Sequence, residues 1–119
     1  MEKVNVYEKL STFSDYWSPK IVGEMSDWHV KLVKLKGEFL WHLHENEDEM
    51  FMVIKGRLVI KLRTEDIVLN EGELFIIPKG TEHMPVAEDE VHVMLIEPKT
   101  TLNTGNVKNE RTKEHLEEI

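Results

Sequence analysis

The sequence predicts an all-β sandwich or barrel with a short helical segment at each end of the chain. Two observations support this class. Between about residues 20 and 98 the apolar residues fall in short or alternating runs, and Gly, Asp, Asn and Pro separate these runs. Many short strands joined by tight turns are typical of sandwiches and barrels. The predicted strands are residues 21–22, 28–35, 38–43, 49–54, 58–62, 67–69, 74–77 and 91–96.

The two ends of the chain differ from this strand-rich centre. Apolar residues spaced by three predict a short amphipathic helix in an N-terminal arm of about residues 4–14. The tail of about residues 103–119 is polar and charged, and we expect it to end in a short helix at 113–119. With a barrel core of about residues 20–98, the whole chain suits a single domain, residues 1–119.

Composition and charge exclude several classes of function. The 119 residues are 40% hydrophobic and 32% charged, as in an ordinary globular protein, and no apolar run approaches the length of a membrane span. A net charge of -8 without a Lys/Arg cluster argues against binding to nucleic acid. The first ten residues lack the apolar core of a signal peptide, so we expect a cytoplasmic protein, and the absence of cysteine is compatible with that location.

Four residues that commonly bind metals lie in two segments bounded by glycines. Two histidines two residues apart on a strand point to the same face, with Cα atoms about 7 Å apart, so both imidazoles can reach one ion. A carboxylate at the start of the following strand and a third histidine after a Pro/Gly turn can complete the site. The sequence therefore predicts these metal ligands: His42, His44, Glu49 and His83.

The donor set restricts the metal but does not select one. Three imidazoles and a carboxylate suit a divalent transition metal, namely Mn, Fe, Co, Ni or Zn. Glu47 and Asp48 are rivals for the carboxylate role, although we predict that both are solvated turn residues. The alternative is a metal-free protein in which the same residues form a polar lining.

The two segments resemble the paired signature motifs of the cupin superfamily. Residues that match the first motif are His42, His44, Glu49 and Gly56, and those that match the second are Gly72, Pro78, Gly80 and His83. Two positions depart from the pattern: Gly37 stands one residue too close to the first histidine, and Ala87 occupies the place of an Asn. The resemblance implies a double-stranded β-helix, or jelly-roll barrel, and this superfamily commonly forms homodimers.

Face assignments predict what lies inside and outside the barrel. If Glu49 points inward, alternation gives an apolar interior that suits a small ligand, formed by Phe51, Val53, Leu58, Ile60 and Leu62. The same alternation turns an apolar set outward: Met50, Met52 and Ile54. Either the N-terminal segment or a second subunit could cover that outer face, and we expect a homodimer.

The predicted function is that of a small metal-binding cupin. We favour a metal-dependent enzyme that acts on a small carbonyl, hydroxyl or aromatic compound, of the isomerase or dioxygenase type. The alternative is a non-catalytic module that binds or senses a small molecule. No general acid or base is evident beyond two candidates. Glu38 would share the ligand face of a regular strand, although we favour a position at a strand end in solvent, and His92, in the last strand, could line the pocket.

Overall fold

The structure, a computed structural model, describes the whole chain from Met1 to Ile119 and consists mainly of strands. Its helix is α1 (Val6–Leu10). The strands are β1 (Lys20–Met25), β2 (Trp28–Glu38), β3 (Glu49–Lys55), β4 (Leu58–Leu62), β5 (Asp66–Leu69), β6 (Leu74–Ile77), β7 (His83–Pro98) and β8 (Glu117–Glu118). This content of strands confirms the predicted all-β fold class.

Strand β7 organises the sheet because its two edges contact three other strands. β2 pairs antiparallel along one edge, starting from Trp28 opposite Pro98. On the other edge, the first half of β7 pairs with β4 and the second half pairs with β3. β5 lies beyond β4, β6 lies beyond β3, and β1 and β8 lie beyond β2. One long strand therefore joins both halves of the jelly roll.

Alternating burial identifies the inward faces of the strands. In β3, every second residue from Glu49 to Val53 is buried and the residues between them are half-buried. The apolar core contains Val33, Leu35, Phe51, Val53, Leu58, Ile60, Leu69, Ile77, Ala87, Val91, Val93 and Leu95. Leu62 packs against this cluster, so the interior predicted from the sequence is confirmed.

The strand predicted at residues 38–43 is wrong because β2 already ends at Glu38. Gly37, just before this end, has a φ of 84°, a left-handed value that interrupts the extended backbone. Residues 39–48 then form no regular strand, and only an isolated bridge connects His42 to β7. The first pair of predicted ligands therefore lies outside the regular sheet.

The two ends of the chain follow the prediction only in part. The N-terminal helix is present but short, and the side chain of Asn5 caps it by accepting a hydrogen bond from the backbone N–H of Glu8 at 3.0 Å. The helix predicted at 113–119 is wrong, since β8 instead pairs in parallel with the free edge of β1. No helix in the structure has the length and apolar character that crossing a lipid bilayer requires.

Candidate metal centre

The sheet and one irregular segment bring the four predicted ligands together. Glu49 is the first residue of β3, and His83 is the first residue of β7. His42 forms two backbone hydrogen bonds with His83, of 3.1 and 2.9 Å, which fix the irregular segment beside β7. His44 follows two residues later and is buried like His42. The two histidines therefore share one face, as predicted, although their segment is not a strand.

The side-chain atoms of this group converge on one point. The Oε1 atom of Glu49 lies 3.0 Å from Nε2 of His44 and 3.2 Å from Nε2 of His83. One ligand atom from each of the four residues lies within 4.8 Å of the other three. Two atoms that bind one ion at about 2.1 Å and at a right angle would be about 3 Å apart. These spacings are those of ligands around a single metal ion.

Backbone carbonyls fix the ring orientation of two histidines. Nδ1 of His42 donates to the carbonyl of Leu40 at 2.9 Å, and Nδ1 of His83 donates to the carbonyl of Thr81 at 2.8 Å. Because a carbonyl oxygen can only accept, each Nδ1 carries the hydrogen and each Nε2 keeps a free lone pair. Such hydrogen bonds typically orient histidine ligands of metals.

Several atoms at the centre have no hydrogen-bond partner in the protein. They include both ring nitrogens of His44, Nε2 of His83 and Oε1 of Glu49, all of them buried. Buried polar atoms are nearly always hydrogen-bonded, so a group of unpartnered nitrogen and oxygen atoms facing one another needs another partner. A divalent transition metal fits because it would accept lone pairs from Oε1 of Glu49, Nε2 of His83 and one ring nitrogen of His44 together. This buried group could therefore hold a metal ion.

The protonation states favour metal binding. Burial, followed by the nearby charge of His83, lowers the pKa of His42 to about 4, so its imidazole is neutral at pH 7. Burial opposes ionisation of Glu49, but interactions with Glu97, His44 and His83 outweigh it and lower the pKa of this carboxyl well below its usual range. The centre thus offers a neutral imidazole and a carboxylate, the forms that bind metals.

Glu97 is a buried carboxyl group beside this centre that sequence reasoning missed. It lies on the inward face of β7, where its side chain is 3% exposed, and its Oε1 accepts a hydrogen bond from Nζ of Lys31 at 2.6 Å. Burial and the negative charge of Glu49 raise the pKa of Glu97 well above its usual range. The alternation of Val91, Val93 and Leu95 along the same strand was the signal that could have placed Glu97 inside.

A largely apolar pocket opens at the candidate metal centre. The space between its wall atoms, open mouth included, is about 450 Å³, and the centre of a water-sized sphere can occupy about 40 Å³ of it. Its polar wall contains His42, Glu49, Glu97 and Asn103. The remaining wall residues are Trp17, Pro19, Val33, Leu35, Phe39, Phe51, Pro85 and Leu95. A small compound with an apolar body would therefore lie next to the candidate ligands.

The C-terminal segment, to which the sequence assigned no chemistry, packs against the first ligand segment. The side chain of Asn106 accepts the backbone N–H of Leu43 at 2.9 Å, and the backbone N–H of Asn106 donates to the carbonyl of Leu43 at 3.0 Å. Gly105 packs so closely on the same residue that a Cβ atom would lie 2.2 Å from the Leu43 oxygen. The segment therefore helps to place the adjacent histidines.

The structure excludes the other candidate residues from the centre. His92 points away from the pocket and interacts with Glu90 at 2.6 Å, so its predicted place in the pocket is wrong. Glu38 is exposed at the end of β2, the strand-end position favoured for it from the sequence, and it does not line the pocket. The two rival carboxylates bind elsewhere, Asp48 to the backbone N–H of Lys79 and Glu47 to Thr100.

The fold and the site define a class of protein: a jelly roll with a buried His-His-Glu-His group that could hold a metal ion beside an apolar pocket. A family model described as the cupin domain matches residues 28–98. The chain therefore belongs to the cupin domain family, as its motifs predict.

Comparisons with individual proteins agree with this family. The uncharacterized protein YdbB of Bacillus subtilis (strain 168) is 38% identical over 79 residues, which cover 66% of this chain and 64% of the relative. The crystal structure of a cupin-2 domain containing protein from Shewanella frigidimarina matches with a TM-score of 0.80 and 47% identity, covering 81% of this chain and 94% of that one.

One similar protein carries the name of an enzyme. The 3-hydroxyanthranilate 3,4-dioxygenase 2 of Aspergillus clavatus is 34% identical over 69 residues, which cover 54% of this chain and 36% of the enzyme. The chain thus spans less than two thirds of the length of each of these curated relatives.

Proposed function

We propose that this protein is a metal-dependent enzyme, of the dioxygenase type, that acts on a small and largely apolar hydroxyl or aromatic compound. One observation carries this proposal: two of the candidate ligands, His42 and Glu49, line an apolar pocket, and Oε1 of Glu49 is one of the unpartnered atoms of the centre. A metal bound only for stability would need no such opening, whereas a catalytic metal must be accessible to a substrate.

Each part of the centre has a role in this proposal. The metal would be held by His42, His44, Glu49 and His83, and when bound it would supply Lewis acidity and a place for dioxygen. Leu40 and Thr81 keep two of the imidazoles in the ligating tautomer through their carbonyl groups. The aromatic and aliphatic walls exclude water and orient the apolar body of the substrate.

The similarity to a dioxygenase favours oxidative chemistry over sugar isomerisation. The pocket supports this preference because its walls are mainly aromatic and aliphatic, and no arginine or lysine among them would bind a sugar phosphate. A dioxygenase consumes one dioxygen molecule per substrate and places both oxygen atoms in the product, so no external reductant is needed.

Oxygen uptake by the Fe(II)-loaded protein tests the proposed activity. A set of phenols, catechols and aminophenols would be added while dioxygen is followed with an electrode and product with mass spectrometry. We expect dioxygen uptake that depends on the aromatic compound and disappears in Glu49→Gln. If the loaded protein binds such compounds without consuming dioxygen, the proposed activity is wrong and the non-catalytic binding module is the better description.

We also propose that the protein forms a homodimer through an outward apolar face. This face consists of two cross-strand rows on β6, β3 and β7, namely Leu74, Met52 and Met94, and Ile76, Met50 and Ile96. Leu74 and Ile76 are 52% and 55% exposed, and helix α1 packs on β2 rather than here. A second copy would bury both rows by sheet-on-sheet packing.

Sedimentation velocity tests this dimer. Ile76→Glu should shift the protein to monomer, because a charge in the centre of an apolar interface is costly to bury. Val68→Glu is the matched control, since Val68 is also exposed but lies on β5, outside the face. A monomeric wild type, or equal behaviour of the two variants, would contradict the proposal. The cytoplasmic location stays a prediction.

A further inference from the structure

Glu97, in the wall of the pocket, forms a buried pair with Lys31 behind it, and the proposed metal chemistry does not use this pair. Nζ of Lys31 lies 2.6 Å from Oε1 of Glu97, and both side chains are almost completely buried. The two residues come from neighbouring strands, β2 and β7, and are 66 positions apart in the chain. Buried ion pairs contribute little net stability, so this pair needs an explanation other than folding.

The second oxygen of Glu97 has no hydrogen-bond partner. Oε1 is occupied by Lys31, whereas Oε2 is buried and unpartnered. Burial and the interaction with the carboxyl of Glu49 raise the pKa of Glu97, but no donor reaches Oε2 with good hydrogen-bond geometry, since His42 uses its Nδ1 hydrogen for Leu40. A buried polar atom without a partner in a pocket wall is typical of a site that is completed by a ligand.

The position of Glu97 relates this atom to the candidate metal centre. Met50 of β3 pairs with Ile96 of β7, so the next residues along these antiparallel strands, Glu49 and Glu97, adjoin each other on the inward face. Both residues line the same pocket, together with His42. A compound in this pocket would therefore contact the candidate metal centre and Glu97 at once.

We propose that Glu97 is a specificity-determining residue that binds a hydroxyl group of the substrate through Oε2. A hydroxyl suits this position because it can donate to a carboxylate and also accept from a carboxylic acid. The apolar walls bind the rest of the molecule, and Lys31 holds Glu97 in place. The inference rests on the proposed function in so far as the bound compound is a substrate of the metal centre. The preference for a hydroxyl group depends only on Glu97 and should also be present without metal.

The test uses two fluorinated probes that differ in a single group. 4-Fluorophenol and 4-fluorotoluene have similar size, and only the first carries a hydroxyl. Dissociation constants would be measured by ¹⁹F NMR titration on metal-free and on Co(II)-loaded protein. The quantity of interest is the dissociation constant of 4-fluorotoluene divided by that of 4-fluorophenol in each variant. The apolar contacts that both probes make contribute equally to the two constants and do not affect this ratio.

Glu97→Leu should lower this ratio about tenfold in the metal-free protein, since the variant loses the carboxyl group that binds the hydroxyl. Glu97→Gln, which keeps the shape and a weaker hydrogen bond, should lower it about threefold and provides the same test if the leucine variant does not fold. Glu65→Leu, on an exposed turn, should leave it unchanged. An unchanged ratio in both Glu97 variants, or a wild type that does not bind the phenol, would overturn the inference.

Metal content separates this inference from the proposed function. If Glu97 merely positions Glu49, its variants lose cobalt absorbance while the ratio in metal-free protein stays the same, and the inference is wrong. If wild-type protein takes up no cobalt but shows a phenol preference that Glu97→Leu removes, the metal-dependent function is wrong and the inference stands.

Discussion

The two halves of the candidate metal centre are held in place by different means. Glu49 and His83 are the first residues of β3 and β7, so regular backbone pairing fixes them. His42 and His44 lie outside the sheet, where one bridge to β7 and the C-terminal segment position them. The comparison shows that half of the site depends on the fold alone and half depends on a distant part of the chain. The following predictions test this difference.

The largest effect should come from removing a candidate ligand in the irregular half. His44→Ala should weaken metal binding by more than about a thousandfold, because a ligand is lost, while the metal-free barrel stays folded. His83→Ala should weaken binding as much and also destabilise the metal-free protein, since His83 is fully buried in the sheet. Calorimetric titration with Zn(II) and thermal unfolding would measure both effects. Equal metal affinity in His44→Ala and wild type would contradict the assignment.

Acid should destabilise the metal-free protein through His42. Its pKa is 6.5 in the unfolded chain and about 4 in the folded protein, so protonation favours unfolding. The unfolding free energy is therefore at its full value above pH 6.5 and falls by about 3 kcal/mol as the pH is lowered to 4. Urea unfolding at pH 7 and pH 4 would measure this loss. His42→Gln is the control, and the same loss in this variant would show that His42 is not the cause.

A side chain at Gly105 should disturb only the irregular half. Gly105→Ala places a Cβ atom 2.2 Å from the carbonyl oxygen of Leu43, in a residue with a φ of +56°. Gly72→Ala is a matched control, because Gly72 has a φ of +82° and no atom within 4 Å of the added Cβ. We expect Gly105→Ala to cost about 2 kcal/mol more in unfolding free energy than the control. Similar values for both variants would argue against a tight contact.

The smallest effect should follow from the loss of one hydrogen bond to the ligand segment. Asn106→Ala removes the side chain that accepts the backbone N–H of Leu43, and should cost about 1 kcal/mol of stability and a few-fold in metal affinity. Asn46→Ala, in the exposed turn, should change neither quantity. A larger loss of affinity in Asn46→Ala than in Asn106→Ala would contradict the role given to the C-terminal segment.

The fold class and the convergence of the four candidate ligands could be predicted from the sequence because both depend on local patterns. Alternation placed Phe51 and Val53 inside, and glycines marked the turns. The same alternation correctly grouped His42 with His44 even though their backbone is not a strand. The spacing of apolar residues indicates which side chains are buried. It does not indicate whether their backbone pairs with another strand.

The residues that sequence reasoning missed depend on contacts between distant segments. Alternation along β7 points Glu97 inward, but what makes a buried carboxyl acceptable there is Lys31, which lies on another strand. Asn106 and strand β8 belong to a polar tail without periodicity, and only the neighbouring surfaces of Leu43 and β1 give that tail its structure. Partners of this kind cannot be derived from spacing along one segment.

The central claim is that His42, His44, Glu49 and His83 hold one transition metal ion, and elemental analysis tests it most directly. The protein would be purified without an affinity tag or chelator, with Glu49→Gln prepared in parallel. We predict close to one transition metal ion per chain in the wild type and a large loss in the variant. A wild-type protein that contains no metal and also fails to take up added Fe, Mn, Ni or Zn would contradict the claim.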